Sequence, residues 1–187
     1  MDRVAAIARA LDRIIMRIGR LAGWAGLALV LVTIFDVVTR NMSQAPWEFL
    51  RRASEIQQAI FGSTQLQELE WHLHTVLFLL CLGYAYVKGA HVRIDLIRGR
   101  LSERPRAWIE IIGIGLFLVP FCGLVMVYGM EFALSSFQQN EGSASGGGLP
   151  DRWIIKSVLP LGIGLLALAG IAQFLNRLAL LRRRPGG

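Results

Sequence analysis

Residues 157–176 read SVLPLGIGLLALAGIAQFLN, twenty consecutive positions without a charged side chain. At 1.5 Å of rise per residue, such a run covers about 30 Å, the thickness of a bilayer's hydrocarbon layer. Three further runs repeat the pattern. One is charge-free from Leu21 to Phe35 and continues through Asp36 to Arg40, and the others are Trp71–Val87 and Ile111–Met130. With their flanks they predict four spans, at about residues 18–39, 70–88, 108–130 and 156–177, within one membrane domain covering residues 1–187. The expected fold class is therefore an all-α integral membrane protein.

Composition agrees with that reading. The 187 residues are 54% hydrophobic and 18% charged, with a mean hydropathy of +0.50. A soluble domain carries roughly 25% charged residues. The net charge of +7 would raise nucleic acid as a partner in a soluble chain. In a polytopic chain it has a simpler cause, because lysine and arginine hold loops on the cytoplasmic side. Fifteen of the twenty basic residues lie before span one, between spans two and three, or after span four. The other five lie in the first and third loops. The positive-inside rule thus predicts both termini in the cytoplasm and loops one and three outside. Trp71, Trp108, Tyr128 and Trp153 stand near span ends, where amphipathic rings prefer the headgroup level. Cys81 and Cys122 fall inside apolar runs and are expected to act as small hydrophobes, outside any disulfide framework.

Two amphipathic helices are expected beside the spans. Ile7, Leu11, Ile14 and Ile18 recur at helical spacing, with Arg9, Arg13, Arg17 and Arg20 on another face, which fits a helix lying in the inner leaflet. The same periodicity fits the solvated start of the first span. The apolar run lacks a following A-x-A-like cleavage site, so it reads as an uncleaved signal-anchor. In the first outer loop, Pro46 suits a helix start, Phe49, Ala53, Ile56 and Ile60 form one stripe, and Gly62 is a stop. This predicts a short in-plane helix, or else a packing element against a partner protein.

Few residues offer chemistry. Asp36 is within a turn of Arg40 and is expected to pair with it or snorkel, and Glu110 is expected to be solvated among basic residues. His72 and His74 point to different faces of one helix end, while His91 lies beyond the other. A haem held by paired imidazoles therefore lacks support from spacing, although four helices and three histidines keep a haem-binding or structural anchor of a redox complex as the alternative reading. No set of ligands has metal-site spacing. The stretch Gly142–Gly148 lacks the Lys-Ser/Thr of a phosphate loop and is expected to be a flexible outer loop. Gly19, Gly23, Gly26, Gly162, Gly164 and Gly170 are candidates for close helix approach, and Pro120 is a candidate kink in span three. Without mid-membrane carboxylates, a self-sufficient exporter is disfavoured.

Two motifs carry a resemblance: His91-Val-Arg-Ile-Asp-Leu-Ile97 after span two, and Gly148-Leu-Pro-Asp-Arg-Trp-Ile-Ile-Lys-Ser-Val-Leu-Pro-Leu-Gly162 leading into span four. With four spans and both ends inside, the chain resembles the small membrane subunit of tripartite ATP-independent periplasmic (TRAP) transporters, the DctQ type, over roughly residues 70–176. That resemblance implies a non-catalytic subunit of a prokaryotic inner-membrane transporter, which is not an enzyme. It also implies two partners besides the lipid bilayer, a large many-span membrane subunit and a soluble periplasmic solute-binding protein, with no nucleic acid. The solute would be an organic acid or a related compound. Sodium coupling would belong to the large subunit, leaving this chain without a cofactor. Carried over to this sequence, the motifs point to His91, Arg93 and Asp95, and to Arg152, Trp153, Lys156 and Pro160, as residues setting loop geometry and subunit contact. Pro150 and Pro160 would bracket a short turn presenting Arg152 and Lys156 outward.

Overall fold

The computed structural model describes residues 2–90 and 101–182, and within them every regular element is helical. In chain order the helices are α1 (Asp2–Met42), α2 (Glu48–Ile60), α3 (Ser63–Val87), α4 (Glu103–Gly113), α5 (Val119–Gln138) and α6 (Arg152–Arg182). A π-helical turn, Ile114–Leu118, joins α4 to α5. Among the described residues three helical stretches are long and apolar enough to cross a membrane: Ala6–Met42, Glu103–Gln138 and Arg152–Arg182. The expected second span lies on α3, whose 25 residues include Glu68, Glu70, His72 and His74 before Thr75.

Helix α6 is the hub and packs against α1, α3, α4 and α5. Close approaches define the register. Gly26 faces Leu77 while Cys81 Sγ donates to the Gly19 carbonyl at 3.6 Å, so α1 and α3 run antiparallel. Gly129 lies against Leu159 and Pro160, and Gly170 against Leu118 and Ile114, so α5 and α6 are also antiparallel. Helices α3 and α6 run parallel and nearly touch by backbone. A Cβ on Gly162 would stand 2.6 Å from the Leu79 carbonyl oxygen, and one on Gly83 would stand 2.8 Å from that of Leu165. Glycine permits this approach by lacking the atom that would collide. Of the glycines expected to serve this way, Gly19, Gly162 and Gly170 do so, Gly26 and Gly164 make ordinary contacts, and Gly23 faces open space.

The π-turn places Pro120 at the second position of α5, where its missing N–H is tolerated. It also corrects a phase. Ala107, Ile111 and Ile114 are buried on one side of the turn, and Cys122, Gly129, Ala133 and Ser136 on the other. Ile114 and Cys122 are eight residues apart, which in an unbroken α-helix would put them about 80° out of phase. The extra residue absorbed by the π-turn reduces the spacing to an effective seven, close to two whole turns, and both segments then face α6.

Two expectations about the amphipathic segments change. The basic amino-terminal segment is not a separate in-plane helix, because it continues without a break into the first span as one helix of 41 residues. An unbroken helix cannot lie flat and then cross. Its inward stripe is Ala8, Ile15, Gly19 and Ala22, while Ile7 and Ile14 are exposed. Three of these four are small, which suits the packing of α1 on α3 and α6. Helix α2 does form in the first loop, from Glu48 rather than Pro46, but it turns its apolar stripe away from the bundle. Phe49 is 64% exposed and Ile60 64%, and the residue that it buries is Ser54.

Candidate functional site

The bundle has two polar ends. One carries α2, the start of α3 and the α5–α6 loop, and is called the cap end here. The other holds the end of α3, the starts of α1 and α4, and the end of α6.

At the cap end, Glu68 organises the α5–α6 loop. It is 6% exposed on the second turn of α3. Its Oε1 accepts from the Ser143 hydroxyl and from Arg152 Nη2 at 3.3 Å, and its Oε2 accepts from the Leu149 amide at 2.6 Å. The Ser143 hydroxyl first, then the Leu149 amide and the Arg152 guanidinium, hold the Glu68 carboxyl below the usual carboxylate range. A Cβ on Gly148 would stand 2.6 Å from Glu68 Oε2, and Gly147 has φ +89°. Two glycines of the run thus serve a tight fold-back. The stretch expected to be a flexible loop is therefore tied down onto α3.

A second pair locks the same loop to α6. Lys156 Nζ donates to Glu141 Oε2, and the Arg152 amide donates to the Glu141 carbonyl at 3.0 Å. The ammonium of Lys156 holds the Glu141 carboxyl below its ordinary value. Lys156 also lies 3.9 Å from the centroid of Phe132, and Arg152 lies 5.8 Å from that of Trp71, both over aromatic faces. Trp153 meets Phe137 edge-on at 5.3 Å and donates through Nε1 to Asp151 at 3.3 Å.

Arg152, Trp153 and Lys156 are thus brought together, but not presented outward. The charges of Arg152 and Lys156 are turned onto Glu68 and Glu141, since a cation largely removed from water is most stable beside a carboxylate. Pro160 does not bracket a turn either. It lies two turns into α6, buried against Gly129. His91, Arg93 and Asp95 lie outside the described residues. Glu68 and Glu141 are the members that sequence reasoning missed, and away from the cap it also missed Gly83, which permits the close approach of α3 to α6. A carboxylate just before an apolar run resembles ordinary headgroup solvation until a partner 75 to 84 positions away is known.

Among the described residues, further ion pairs lie near helix ends. Asp36 is buried and pairs with Arg40, as the spacing suggested. Glu110 is not simply solvated, because it pairs with Arg177 and ties α4 to the end of α6. Substantial apolar surface is left bare along α1 and α5, including Leu21, Trp24, Leu124 and Val127. Water would penalise such faces, whereas lipid or a partner's helices would cover them.

An all-helical bundle with apolar outer faces and polar ends defines a membrane protein. The family model described as "Tripartite ATP-independent periplasmic transporters, DctQ component" matches residues 29–180. The chain belongs to this family and is a small TRAP transporter subunit, a component of a transporter and not a member of a catalytic enzyme family. Members of this family work with a large membrane subunit and a periplasmic binding protein. No curated protein and no solved structure matched the chain.

Proposed function

We propose that this chain is the static scaffold of its transporter, pairing in a prokaryotic inner membrane with a large subunit that carries the solute path. The observation that carries the reading is the family match over residues 29–180. The distribution of charge supports it. Ionisable side chains gather at the two ends of the bundle, and the helices between them are held by glycine contacts and apolar packing. Such a body is suited to holding a partner rather than to conducting an organic anion. In this reading a binding protein delivers an organic acid or related solute, sodium coupling resides in the large subunit, and the chain itself uses no cofactor.

The proposal includes four crossings with both termini in the cytoplasm. Helix α3 is fixed between α1 and α6 by Gly19, Gly26, Gly83 and Gly162 along its charge-free part, so it crosses wherever they do. Its outer turns would then stand at the headgroup level with Trp71. Helix α2, with its apolar stripe outward, would lie at the periplasmic surface. His91, Arg93 and Asp95 would contribute to subunit contact at the cytoplasmic side. Arg152, Trp153, Lys156 and Pro160 would do so indirectly, by shaping the periplasmic cap.

The test is a mild-detergent pull-down of the chain, tagged at its carboxyl terminus in its native host, with mass spectrometry of what copurifies. A single many-span membrane subunit at near-equal amount is expected. Recovery of the chain with redox subunits, or by itself, would overturn the scaffold reading.

A further inference from the structure

Helix α5 packs chiefly against α6, with Cys122, Gly129, Ala133 and Ser136 as its buried side. Glu131 is exposed and stands two residues from both Gly129 and Ala133. That is about 200° round the helix from either, so it points directly away from the bundle. Leu124, Val127, Tyr128 and Leu134 share this outward face at helical spacing, and all are exposed. The depth of Glu131 follows from its neighbours. Gly129 lies against Leu159 and Pro160, and Phe132 carries Lys156 over its ring, so Glu131 is level with the start of the charge-free run 157–176. The contact of Phe137 with Trp153, whose indole suits the headgroup layer, stands six residues or about 9 Å nearer the cap. Lys156, a cation at the same level, is already paired with Glu141, and among the described residues no cation pairs with Glu131.

A bare carboxylate at the rim of the hydrocarbon layer, in the middle of an apolar face, is costly in lipid, and such groups are kept in membrane helices where a counter-charge meets them. We propose that this face of α5 seats the large membrane subunit, which presents an arginine or lysine to Glu131 from an otherwise apolar helix. The pair would form inside the contact, where removal of water strengthens the attraction. Lipid would cover the leucine and valine side chains but leave the carboxylate without a counter-charge. A second copy of this chain, held in the same orientation by the membrane, would bring its own Glu131 to the same depth, like charge against like. The outer face of α1 differs in kind. Leu21, Trp24, Leu27, Leu31 and Ile34 are exposed there, and no charged residue interrupts the run, as suits lipid. Such a contact presupposes the scaffold reading given under Proposed function and adds to it the face and the charge by which the two subunits meet.

The full-length chain is expressed in its native host with a photoreactive phenylalanine analogue at Val127 or, for comparison, at Leu31. Membranes are irradiated, the chain is purified under denaturing conditions, and its adducts are identified by mass spectrometry. Val127 should link to a many-span membrane subunit, and Leu31 should do so at least about tenfold less. In a second arm the large subunit is quantified after mild-detergent purification of charge variants. Glu131→Lys should lower its recovery by about tenfold or more and Glu131→Gln by less, while the chain itself elutes as a single species. Adducts to the large subunit from Leu31 and not from Val127 would overturn the proposal. So would a Val127 adduct made only with lipid or with a second copy of the chain, or full recovery of the large subunit with Glu131→Lys. If the unsubstituted chain recovers no large subunit, the scaffold reading falls and this contact with it. If it recovers one that links elsewhere, the scaffold reading stands and the assignment of this face alone is lost.

Discussion

Glu68 accepts from three donors that have no equivalent substitute: a hydroxyl, a main-chain amide and a guanidinium. Glu68→Ala would leave the Leu149 amide and part of the Arg152 guanidinium facing a void, at a cost of about 2 kcal/mol. The unfolding temperature in detergent should fall by several degrees, and the Glu141–Trp153 segment should become open to protease. The acid dependence has a definite sign. A carboxyl held below its ordinary value contributes stability that is complete above the unfolded value, about 4.3, and is lost as pH falls through the lower folded one. The Glu141 carboxyl, held down by Lys156, acts in the same sense. Wild-type thermal stability should therefore decline as pH drops below about 4.3, and Glu68→Ala should decline less over the same range. An equal decline in both would show that Glu68 is not the responsible group. This residue also marks where sequence reading stops. The resemblance of the segment Gly148–Gly162 to the DctQ pattern made Arg152, Trp153 and Lys156 visible as a group, whereas Glu68 is joined to them only by the parallel packing of α3 on α6.

At the scale of elements, periodicity and charge-free length were enough to find the apolar segments, because a helix in lipid must satisfy its own backbone bonds. They could not show that the basic amino-terminal stretch and the first span share one helix, since nothing in the stripe Ile7, Leu11, Ile14 and Ile18 says whether a break follows. They could not locate the π-turn either. Pro120 flagged span three, but the irregularity lies on its amino-terminal side, where Leu118 is seated against Gly170. A π-turn is an α-helix with one residue inserted, so removing one residue there should restore regular helix without rotating the buried faces. Leu116 is 64% exposed and suits the purpose. Deleting it should leave yield and single-species elution close to wild type. Deleting Leu124 in the regular part of α5, which is 59% exposed, should turn Cys122 and Gly129 out of common phase by about 100° and abolish monodisperse protein. If the two deletions behave alike, the π-turn is not a phase correction.

The whole molecule is asymmetric along its long axis. Helix α1 alone measures about 62 Å, twice the hydrocarbon thickness, so a large part of it must stand outside lipid. Its charges decide which part. Arg9, Arg13, Arg17 and Arg20 line the amino-terminal half, while the charge-free stretch begins at Leu21. In the proposed orientation the excess helix projects on the cytoplasmic side, with the end of α6 that carries Arg177 and Arg182, and the cap formed by Glu68, Glu141 and their cations faces the periplasm. Arginine is costly at the membrane centre and is enriched on the cytoplasmic side, so this distribution supports the proposed orientation more than any one loop does. The antiparallel pairs α1–α3 and α5–α6, with α3 parallel to α6, fit the four alternating crossings of the proposed reading. Single cysteines introduced on a Cys81→Ala/Cys122→Ala background report this directly in intact cells. Ser43→Cys, after α1, and Ser145→Cys, in the α5–α6 loop, should react with a membrane-impermeant thiol reagent added outside. Ser102→Cys, before α4, and Arg182→Cys, at the end of α6, should react only after the membrane is opened. Labelling of Ser102→Cys from outside would mean that α3 does not cross, and the bundle would then have to be inserted as three spans with its termini on opposite sides.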